Sequence, residues 1–255
     1  MVRSDCMTDP ASRPNRREFA ELQPDHDLPR RWSSATSCPV SHAREALDPA
    51  VSTAQLADAL DAVGCRQQVM EAAIAPLATG MRAIGRAATV QFARVDHDSD
   101  EPYDDAIAFI DGLETGTIVV IASEASTRSA FWGELFSAAA VGRGAAGVVC
   151  DSYARDSDKI RALGFPVFAT GTRPIDYRAR MEITGTDCPV VCGGVLVNPG
   201  DLILADDDGV VVVPADVETD AVTRANERAR RETTVLEELR GGATLQSVWA
   251  RYRVL

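Results

Sequence analysis

Residues 145–171, AAGVVCDSYARDSDKIRALGFPVFATG, are the stretch that decides the fold. The apolar run at the start predicts a buried strand, and SDKIRAL predicts a short helix that ends at Gly164. The second apolar run, PVFATG, predicts another strand. The order strand, helix, strand is typical of a parallel sheet, and it assigns the sequence to the α/β class.

The flanking sequence adds further elements of both kinds. Apolar residues at helical spacing predict helices in residues 52–64, 104–113 and 129–143, and apolar runs predict strands in 74–95 and 117–123.

The pattern changes towards the C-terminus. Residues 183–214 contain short strands joined by NPGD and DDG turns, which is typical of antiparallel pairing. Residues 216–240 predict an amphipathic, heavily charged helix, and a shorter helical stretch holds Trp249. The predicted fold is therefore α/β, with an antiparallel portion and a C-terminal amphipathic helix.

The charge and hydropathy of the chain limit the classes of partner that it is expected to have. The 255 residues carry a formal net charge of −12, which disfavours nucleic acid and anionic membranes, since both attract basic proteins. No apolar run reaches the roughly 18 residues of a membrane span. Residues 15–19, NRREF, are similar to a twin-arginine signal, but no apolar stretch follows them. We therefore predict a cytoplasmic protein.

The two ends of the chain differ in composition. Residues 1–45 are rich in Pro, Arg, Ser and Asp and show no sustained hydrophobic period. Such a composition predicts a flexible, polar N-terminal extension. The folded domain is then expected to span residues 46–255.

Three motifs suggest chemistry but have structural explanations. GRGAAG, residues 142–147, matches GxGxxG, yet it ends a predicted helix and opens a strand, the reverse of the dinucleotide fingerprint. DDDG, residues 206–209, is typical of a hairpin turn rather than of a metal cluster. Cys188 and Cys192 lack the second cysteine pair or nearby histidine that would complete a zinc site.

The adjacent charges Arg155 and Asp156 are more informative. They follow a predicted strand and precede a predicted helix, where ligands of open α/β sheets bind. Unpaired N–H groups at the start of that helix favour an anion. The alternative is purely structural, with Asp156 capping the helix and Arg155 facing water.

A second strand-to-helix segment, Gly133–Phe136, strengthens the functional interpretation. Its glycine allows close approach to the backbone, and its successive amides could hold a carboxylate. Facing one crevice, the two segments would offer backbone donors, a guanidinium that grips a carboxylate, and a carboxylate suited to hydrated Mg²⁺.

Several segments are, in order, similar to one protein family. They are STAQLADALD (52–61), GELF (133–136), GAAGVVCD (144–151) with the following Arg155 and Asp156, GFPVFATG (164–171), and NPGDLILADDDGVVVVP (198–214). Roughly residues 50–240 thus resemble the family named after the regulator of ribonuclease E activity A (RraA). That family includes the class II 4-hydroxy-4-methyl-2-oxoglutarate / 4-carboxy-4-hydroxy-2-oxoadipate aldolases. The resemblance implies a compact β/β/α swivelling-type fold with mixed sheets, assembled as a homotrimer or homohexamer.

The resemblance also implies a site between subunits. Arg155 and Asp156 would be catalytic, with Arg155 binding the keto-acid and Asp156 holding Mg²⁺ or Mn²⁺, largely through water. An acidic residue on the C-terminal helix of a neighbouring subunit, best matched by Glu232, would approach the metal. The backbone that binds substrate would be that of Gly133, Glu134, Leu135 and Phe136.

The implied reaction is metal-dependent cleavage of a 4-hydroxy-2-oxo-dicarboxylic acid to pyruvate. Breaking the C3–C4 bond leaves the enolate of pyruvate, whose charge the metal and Arg155 would stabilise. Water or hydroxide ordered near Asp156 would take the 4-hydroxyl proton. Oxaloacetate decarboxylation passes through the same enolate and is an expected side activity. The only lysine, Lys159, lies in the charged turn DSDKIR and is expected to face solvent, which disfavours a Schiff-base route.

Two alternatives stay open. The family also contains non-catalytic regulators that bind ribonuclease E, although these lack the Arg-Asp pair and the charged C-terminal helix present here. A lyase for a different keto-acid is the other alternative, because specificity would come from loops such as 94–104 and from the subunit interface. The sequence departs from the family at Ser152, where glycine is usual.

Overall fold

The apolar runs of the sequence form the centre of an eight-stranded mixed sheet in a computed structural model, which describes residues 47–254. The strands are β1 Ala75–Pro76, β2 Ala83–Arg94, β3 Thr117–Ala122, β4 Ala130–Trp132, β5 Gly147–Cys150, β6 Tyr153–Ala154, β7 Val167–Ala169, β8 Gly171–Thr172, β9 Met181–Thr186, β10 Val190–Cys192, β11 Val195–Val197, β12 Leu202–Asp206 and β13 Gly209–Val213. The helices are α1 Thr53–Ala62, α2 Asp104–Asp111, α3 Glu134–Gly142, α4 Ser157–Leu163, α5 Glu218–Arg240 and α6 Leu245–Tyr252. The predicted α/β fold with mixed sheets and a C-terminal amphipathic helix is confirmed.

The large sheet has a parallel centre and antiparallel flanks. Its order is β1-β7-β5-β3-β2-β12-β13, and β9 also pairs with β2. Strands β2, β3, β5 and β7 run parallel. The pairs β1–β7, β2–β9, β2–β12 and β12–β13 are antiparallel. The sequence predicted antiparallel pairing for residues 183–214, which include β12 and β13, but it did not predict the antiparallel pair β1–β7.

Three central strands lead into a second, smaller sheet. In the chain, β3, β5 and β7 are followed by β4, β6 and β8, which form a three-stranded parallel sheet. The carboxyl ends of parallel strands lie at one edge of a sheet, so the segments that follow β4, β6 and β8 come together.

The helix predicted for residues 129–143 begins later than expected. Ala130–Trp132 is the strand β4, with all three residues buried, and α3 begins only at Glu134. The apolar spacing of this stretch predicted a longer helix, but β4 pairs with β6 in the small sheet. Tertiary pairing of buried apolar residues therefore outweighs the local pattern.

Helices α1 and α5 pack together over the antiparallel part of the large sheet. Ser52 caps the start of α1 in a capping box that it forms with Gln55. The small apolar side chains of α5 pack with α1, β12 and β13 in one core cluster; they include Ala221, Val222, Ala225 and Ala229.

The motifs set aside in the sequence have structural positions. GRGAAG connects α3 to β5, in the helix-to-strand order predicted for it. The DDDG turn joins β12 to β13, and its residues Asp206 and Asp207 accept hydrogen bonds from Thr53 and the Gly80 amide. Cys188 and Cys192 are free thiols that pack in an apolar core cluster.

The helices of residues 47–254 do not include one that combines the length and apolar character needed to cross a membrane. The predicted extension, residues 1–45, lies outside the described residues.

Candidate active site

The small sheet brings the predicted site residues to one edge. Gly133 directly follows β4, Arg155 directly follows β6, and Asp176 lies four residues after β8. Asp176 also forms a parallel β-bridge with Ala130 at the start of β4. The two strand-to-helix segments singled out in the sequence are therefore neighbours.

Gly133 lies against the Arg155–Asp156 pair. A Cβ atom at Gly133 would lie 2.9 Å from Oδ2 of Asp156 and 3.1 Å from Cγ of Arg155. The backbone at Gly133 is extended, with φ −152°, so the glycine is needed for close approach and not for an unusual dihedral angle. Such closeness lets backbone, guanidinium and carboxylate act on one small ligand.

The Asp156 side chain does not cap its own helix. Asp156 is the N-cap residue of α4, but no hydrogen bond from that helix reaches its carboxylate. Oδ2 instead accepts a hydrogen bond from the backbone amide of Glu134, at 3.3 Å. The purely structural alternative for this carboxylate, a helix cap, is thus not what the structure has.

Asp156 also has a left-handed backbone. Its φ of 55° and ψ of 37° fall in a region that Asp and Asn adopt more readily than other residues with a side chain. The carboxylate of Asp156 contacts α3 and not α4.

Arg155 is held between two carboxylates. Its Nη1 donates to Oδ2 of Asp176 at 2.8 Å, and its Nε lies 3.9 Å from Oδ2 of Asp156. The Arg155 side chain is 39% exposed. It is therefore fixed by Asp176 and still accessible to a ligand.

Asp176 is itself well supported. Its carboxylate also accepts hydrogen bonds from the Tyr103 hydroxyl at 2.8 Å and from the Arg178 amide at 3.1 Å. Burial by itself would raise the pKa of Asp176, but these bonds and the Arg155 charge lower it below its ordinary value of 3.8. Asp176 therefore remains a carboxylate at neutral pH.

The segment Gly133–Phe136 has one exposed and one packed hydrophobic side chain. Leu135 is 80% exposed, whereas the Phe136 ring lies 5.6 Å from the Trp132 ring and packs against the core. The N-cap Gly133 does not cap α3 with a side chain, and the Glu134 amide donates to Asp156, which leaves the amides of Leu135 and Phe136 for a ligand. Unpaired amides at a helix start favour an anion, as the sequence analysis predicted.

Lys159 and Glu134 close one side of this region. Nζ of Lys159 lies 2.8 Å from Oε2 of Glu134, which joins the first turns of α3 and α4. The hydrogen bond and the charge of Glu134 raise the pKa of Lys159. A Schiff-base lysine needs the opposite shift.

The loop before β4 is held by Asp151 and Ser152, which directly follow β5. The Asp151 carboxylate accepts hydrogen bonds from the Ser123 amide at 2.9 Å and the Ala125 amide at 3.1 Å. The hydroxyl of Ser152, where the resemblance expects glycine, lies within hydrogen-bond distance of the carbonyl oxygens of Ser126 and, at 3.3 Å, of Ser129, and its single proton can donate to either. These contacts fix the approach of the chain to β4 and hence to Gly133.

Glu232 lies elsewhere in the single chain. It is on α5, and its carboxylate accepts a hydrogen bond from Gln55 at 2.6 Å and pairs with Arg228 at 2.7 Å. Within residues 47–254 of one chain, no recorded contact joins Glu232 to Asp156. The predicted approach of Glu232 to a neighbouring subunit's metal therefore stays a prediction.

The residues present fit a hydrated divalent cation. Among the described residues, no group of three or more His, Cys, Asp or Glu side chains could hold a metal by itself. Asp156 offers one carboxylate whose side chain is 42% exposed. Mg²⁺ keeps several waters and uses one or two carboxylates, so a single Asp is compatible with it.

A separate cleft lies away from Arg155 and Asp156. It has a volume of about 680 Å³ between α2, β2 and β9, and none of the predicted site residues lines it. The guanidinium of Arg86 in its wall makes two hydrogen bonds of 2.7 Å to Glu218. We place the site at Arg155 and Asp156 because the exposed charges and backbone donors converge there.

Sequence reasoning missed Asp176 and Tyr103. Neither residue follows a strand directly, and TRPIDYRAR contains no recognisable motif. The signal that could have found Asp176 is its place shortly after β8, the third strand of the small parallel sheet.

Comparison with known proteins finds relatives of this chain. Residues 53–212 match the family model described as RraA-like: Aldolase/RraA. A Halalkalibacterium halodurans protein named "Putative 4-hydroxy-4-methyl-2-oxoglutarate aldolase" is 31% identical over 181 residues, which cover 70% of this chain and 80% of that protein. Protein DlpA of Legionella pneumophila is 30% identical over 201 residues, which cover 79% of this chain. The match spans only 32% of the length of DlpA.

A solved structure shares the fold. The Streptomyces coelicolor protein RraAS2, described as an unusual member of the RNase ES inhibitor RraA protein family, superposes with a TM-score of 0.69 at 29% identity. The match covers 78% of this chain and 98% of that chain.

Proposed function

The chain belongs to the RraA-like family, and from that premise we propose that it is a divalent-metal-dependent class II aldolase. Its substrate would be a 4-hydroxy-2-oxo-dicarboxylic acid of the 4-hydroxy-4-methyl-2-oxoglutarate or 4-carboxy-4-hydroxy-2-oxoadipate type. The single observation that carries the proposal is the contact of Gly133 with both Arg155 and Asp156. Backbone donors, a fixed guanidinium and a partly exposed carboxylate are thus placed around one point.

Binding of the keto-acid falls to Arg155 and the start of α3. The guanidinium, held by Asp176, donates to the substrate carboxylate, and charge-assisted hydrogen bonds of this kind are among the strongest. The Glu134 amide bonds to Asp156, so the amides of Leu135 and Phe136 donate to the other oxygens of the same end. The substrate is thereby oriented with its C3–C4 bond in the crevice.

The bond that breaks joins C3 to C4. The 4-hydroxyl loses its proton to water ordered beside Asp156, C4 becomes a carbonyl, and the electrons of the bond move to the enolate of pyruvate. Arg155 stabilises the charge of that enolate. A proton then adds to C3 and gives pyruvate; the other product is a second 2-oxo-acid.

Mg²⁺ or Mn²⁺ would be held by Asp156, largely through water, and when bound would supply a Lewis acid for the enolate oxygen. The same enolate arises when oxaloacetate loses CO₂. Oxaloacetate decarboxylation is therefore part of the proposal.

We further propose a homotrimer or homohexamer in which a neighbouring subunit brings Glu232 towards the metal. The support is indirect: Leu135 is 80% exposed beside the site, and the Glu232 carboxylate is 29% exposed on α5. Mass measurement in solution together with a Glu232→Gln variant tests this point. A monomer with full activity would contradict it.

A regulator without catalysis is the competing function. It is supported by the name of the Streptomyces coelicolor neighbour, which refers to a ribonuclease inhibitor family. A regulator of this kind would need no metal, and it would bind a protein partner. The presence of the Arg155–Asp156 pair beside Gly133 favours the enzyme, because the resemblance assigns catalysis to that pair and the regulators lack it.

The test is pyruvate release from oxaloacetate and from 4-hydroxy-4-methyl-2-oxoglutarate, with Mg²⁺, with EDTA, and with the Arg155→Ala variant. Release that needs the metal and is lost in the variant supports the proposed function. No release from either compound points to another keto-acid or to the regulator. Release that EDTA leaves unchanged would contradict the metal-dependent proposal.

A further inference from the structure

One oxygen of Asp176 receives two hydrogen bonds that converge on the proposed site. Oδ2 accepts from Nη1 of Arg155 and from the Tyr103 hydroxyl, both at 2.8 Å, while Oδ1 accepts from the Arg178 amide at 3.1 Å. We propose that Asp176 and Tyr103 are positioning residues that fix the direction of the Arg155 guanidinium. The inference rests on the proposed function, since it assigns these residues to the same site.

The support behind Asp176 is rigid. Its backbone forms a β-bridge with Ala130, and the Ala130 amide donates to the carbonyl of Ile175 at 2.7 Å. Asp176 is thus attached to β4, the strand that leads to Gly133. The backbone that carries the carboxylate is therefore held against that strand.

Tyr103 is fixed as well. Its ring packs edge-on against that of Tyr177, with the ring centroids 5.6 Å apart. Burial and the hydrogen bond to Asp176 raise the pKa of Tyr103, so its hydroxyl stays protonated and can donate. Tyr103 precedes α2 directly and therefore connects the 94–104 loop to the site.

This arrangement leaves part of the guanidinium for a ligand. A guanidinium has five N–H donors. In Arg155, Nη1 bonds to Asp176 and Nε lies near Asp156, and no partner of Nη2 is found among the described residues. A keto-acid carboxylate would meet Nη2 in a direction that the bond to Asp176 sets.

The variant Asp176→Asn isolates this role. Its amide oxygen can replace Oδ1 and keep the bond from Arg178, but its NH₂ group then faces two donors, Arg155 and Tyr103. The side chain keeps its volume, so packing is little changed. Tyr103→Phe is the milder variant, since it removes only the hydroxyl and keeps the ring contact.

We would measure kcat and KM for oxaloacetate with Mg²⁺ in wild type, both single variants and the double variant. For Asp176→Asn, kcat should fall about 10- to 100-fold while KM changes less, because misorientation of a catalytic group acts mainly on the transition state. Tyr103→Phe should lower kcat by a smaller factor. Since Tyr103 acts through Asp176, the double variant should be no slower than Asp176→Asn alone.

Asp98→Asn is the matched control. Asp98 pairs with Arg178 at 2.9 Å and ties the 94–104 loop to the same segment, without a recorded contact to Arg155 among the described residues. Its kcat should stay within about two-fold of wild type. If kcat of Asp98→Asn falls as much as that of Asp176→Asn, the effect belongs to the loop and not to Arg155. If the double variant shows the full product of the Asp176→Asn and Tyr103→Phe effects on kcat, Tyr103 does not act through Asp176.

Affinity for oxalate, an analogue of the pyruvate enolate, separates this inference from the proposed function. Measured by calorimetry with Mg²⁺, it should fall in Asp176→Asn. Unchanged affinity and kcat in the variant would overturn the positioning role even if wild type is an aldolase. If wild type binds oxalate but releases no pyruvate, only the proposed reaction fails, whereas wild type that does not bind oxalate overturns both.

Discussion

The backbone nitrogen of Glu134 lies 3.3 Å from Oδ2 of Asp156, so the first turn of α3 contacts the residue that begins α4. The contact joins the segments that follow β4 and β6 into one unit. One segment supplies the first amides of α3, and the other supplies the guanidinium of Arg155 and the carboxylate of Asp156. The chemistry proposed above therefore depends on their separation, and small changes at this contact should affect activity more than stability.

Gly133→Ala should inactivate the enzyme without unfolding it. The added Cβ would lie 2.9 Å from Oδ2 of Asp156 and 3.2 Å from Nε of Arg155. Both atoms belong to partly exposed side chains that can move aside, so we expect a stability loss below about 1 kcal/mol. The displacement should lower kcat/KM for oxaloacetate by about 100-fold, as measured by pyruvate release.

Gly142→Ala is the control for that variant. Gly142 ends the same helix, and no atom lies within 4 Å of a Cβ built there. Its activity should match wild type, and its stability should be equal or slightly higher because alanine favours a helix. Equal activity in both alanine variants would show that the closeness of Gly133 to the pair has no functional role.

Asp156→Asn should abolish metal-dependent turnover. Asparagine tolerates the left-handed backbone of this position, with φ 55°, so the fold should be kept while the negative charge is lost. We expect kcat/KM to fall by about 100-fold or more, and Mn²⁺ binding measured by electron paramagnetic resonance to weaken. Asp158→Asn, an exposed change in the first turn of the same helix, should leave both unchanged. Full activity in Asp156→Asn would refute the site assignment.

Lys159→Ala should keep most of the activity. Lys159 is exposed, its pKa is raised by the bond to Glu134, and a surface ion pair of this kind contributes little. We expect kcat within about three-fold of wild type. Borohydride added with pyruvate should not inactivate the wild-type enzyme, because no Schiff base forms. Complete loss of turnover in Lys159→Ala, or inactivation by borohydride, would contradict the metal-enolate route.

The lowered pKa of Asp176 predicts that the folded protein loses stability at acidic pH. Its pKa is lowered in the folded protein relative to its ordinary value of 3.8, so it contributes stability above that value. The contribution disappears as the pH falls through the folded pKa, since the protonated group binds Arg155 less well. The difference in Tm between wild type and Asp176→Asn should thus be constant from about pH 5 to pH 8 and shrink below pH 4. A difference that does not change with pH would show that the charge of Asp176 is unimportant.

The sequence predicted those parts of the fold that carry long local patterns. The runs that became β3, β5 and β12, and the stripe that became α5, bury apolar residues at the period expected of each element. The small sheet was largely missed, because β6 and β8 have two residues each and β4 has three. Strands this short are defined by their partners and not by their own period.

The candidate site likewise contains residues that the sequence predicted and residues that it did not. Arg155 and Asp156 were predicted because they lie where a strand passes into a helix, a position visible in the sequence. Gly133 was singled out as a glycine that allows close approach to the backbone, although the sequence placed it inside the helix predicted for residues 129–143. Asp176 and Tyr103 were not, since their bonds join residues 21 and 73 positions apart. Contacts of that kind follow from the folded arrangement of β4, β6 and β8.

Ser152 provides a last prediction, at the position where the resemblance expected glycine. Its buried hydroxyl lies within hydrogen-bond distance of the carbonyls of Ser126 and Ser129, in the loop that leads to β4. Ser152→Gly and Ser152→Ala should each lower the free energy of unfolding by about 1–3 kcal/mol, because these carbonyls lose a donor. Thermal and urea unfolding would measure this change.

The same variants test what the hydroxyl does for the site. A looser loop lets β4 and Gly133 move, so kcat should fall by several-fold even at a temperature where the variants are fully folded. Ser152→Ala is the more informative of the two, because it does not add the backbone freedom of glycine. If Ser152→Ala loses stability but keeps kcat, the serine supports the fold alone. If it keeps both, the hydrogen bonds to this loop have no measurable role, and glycine and serine are equivalent here.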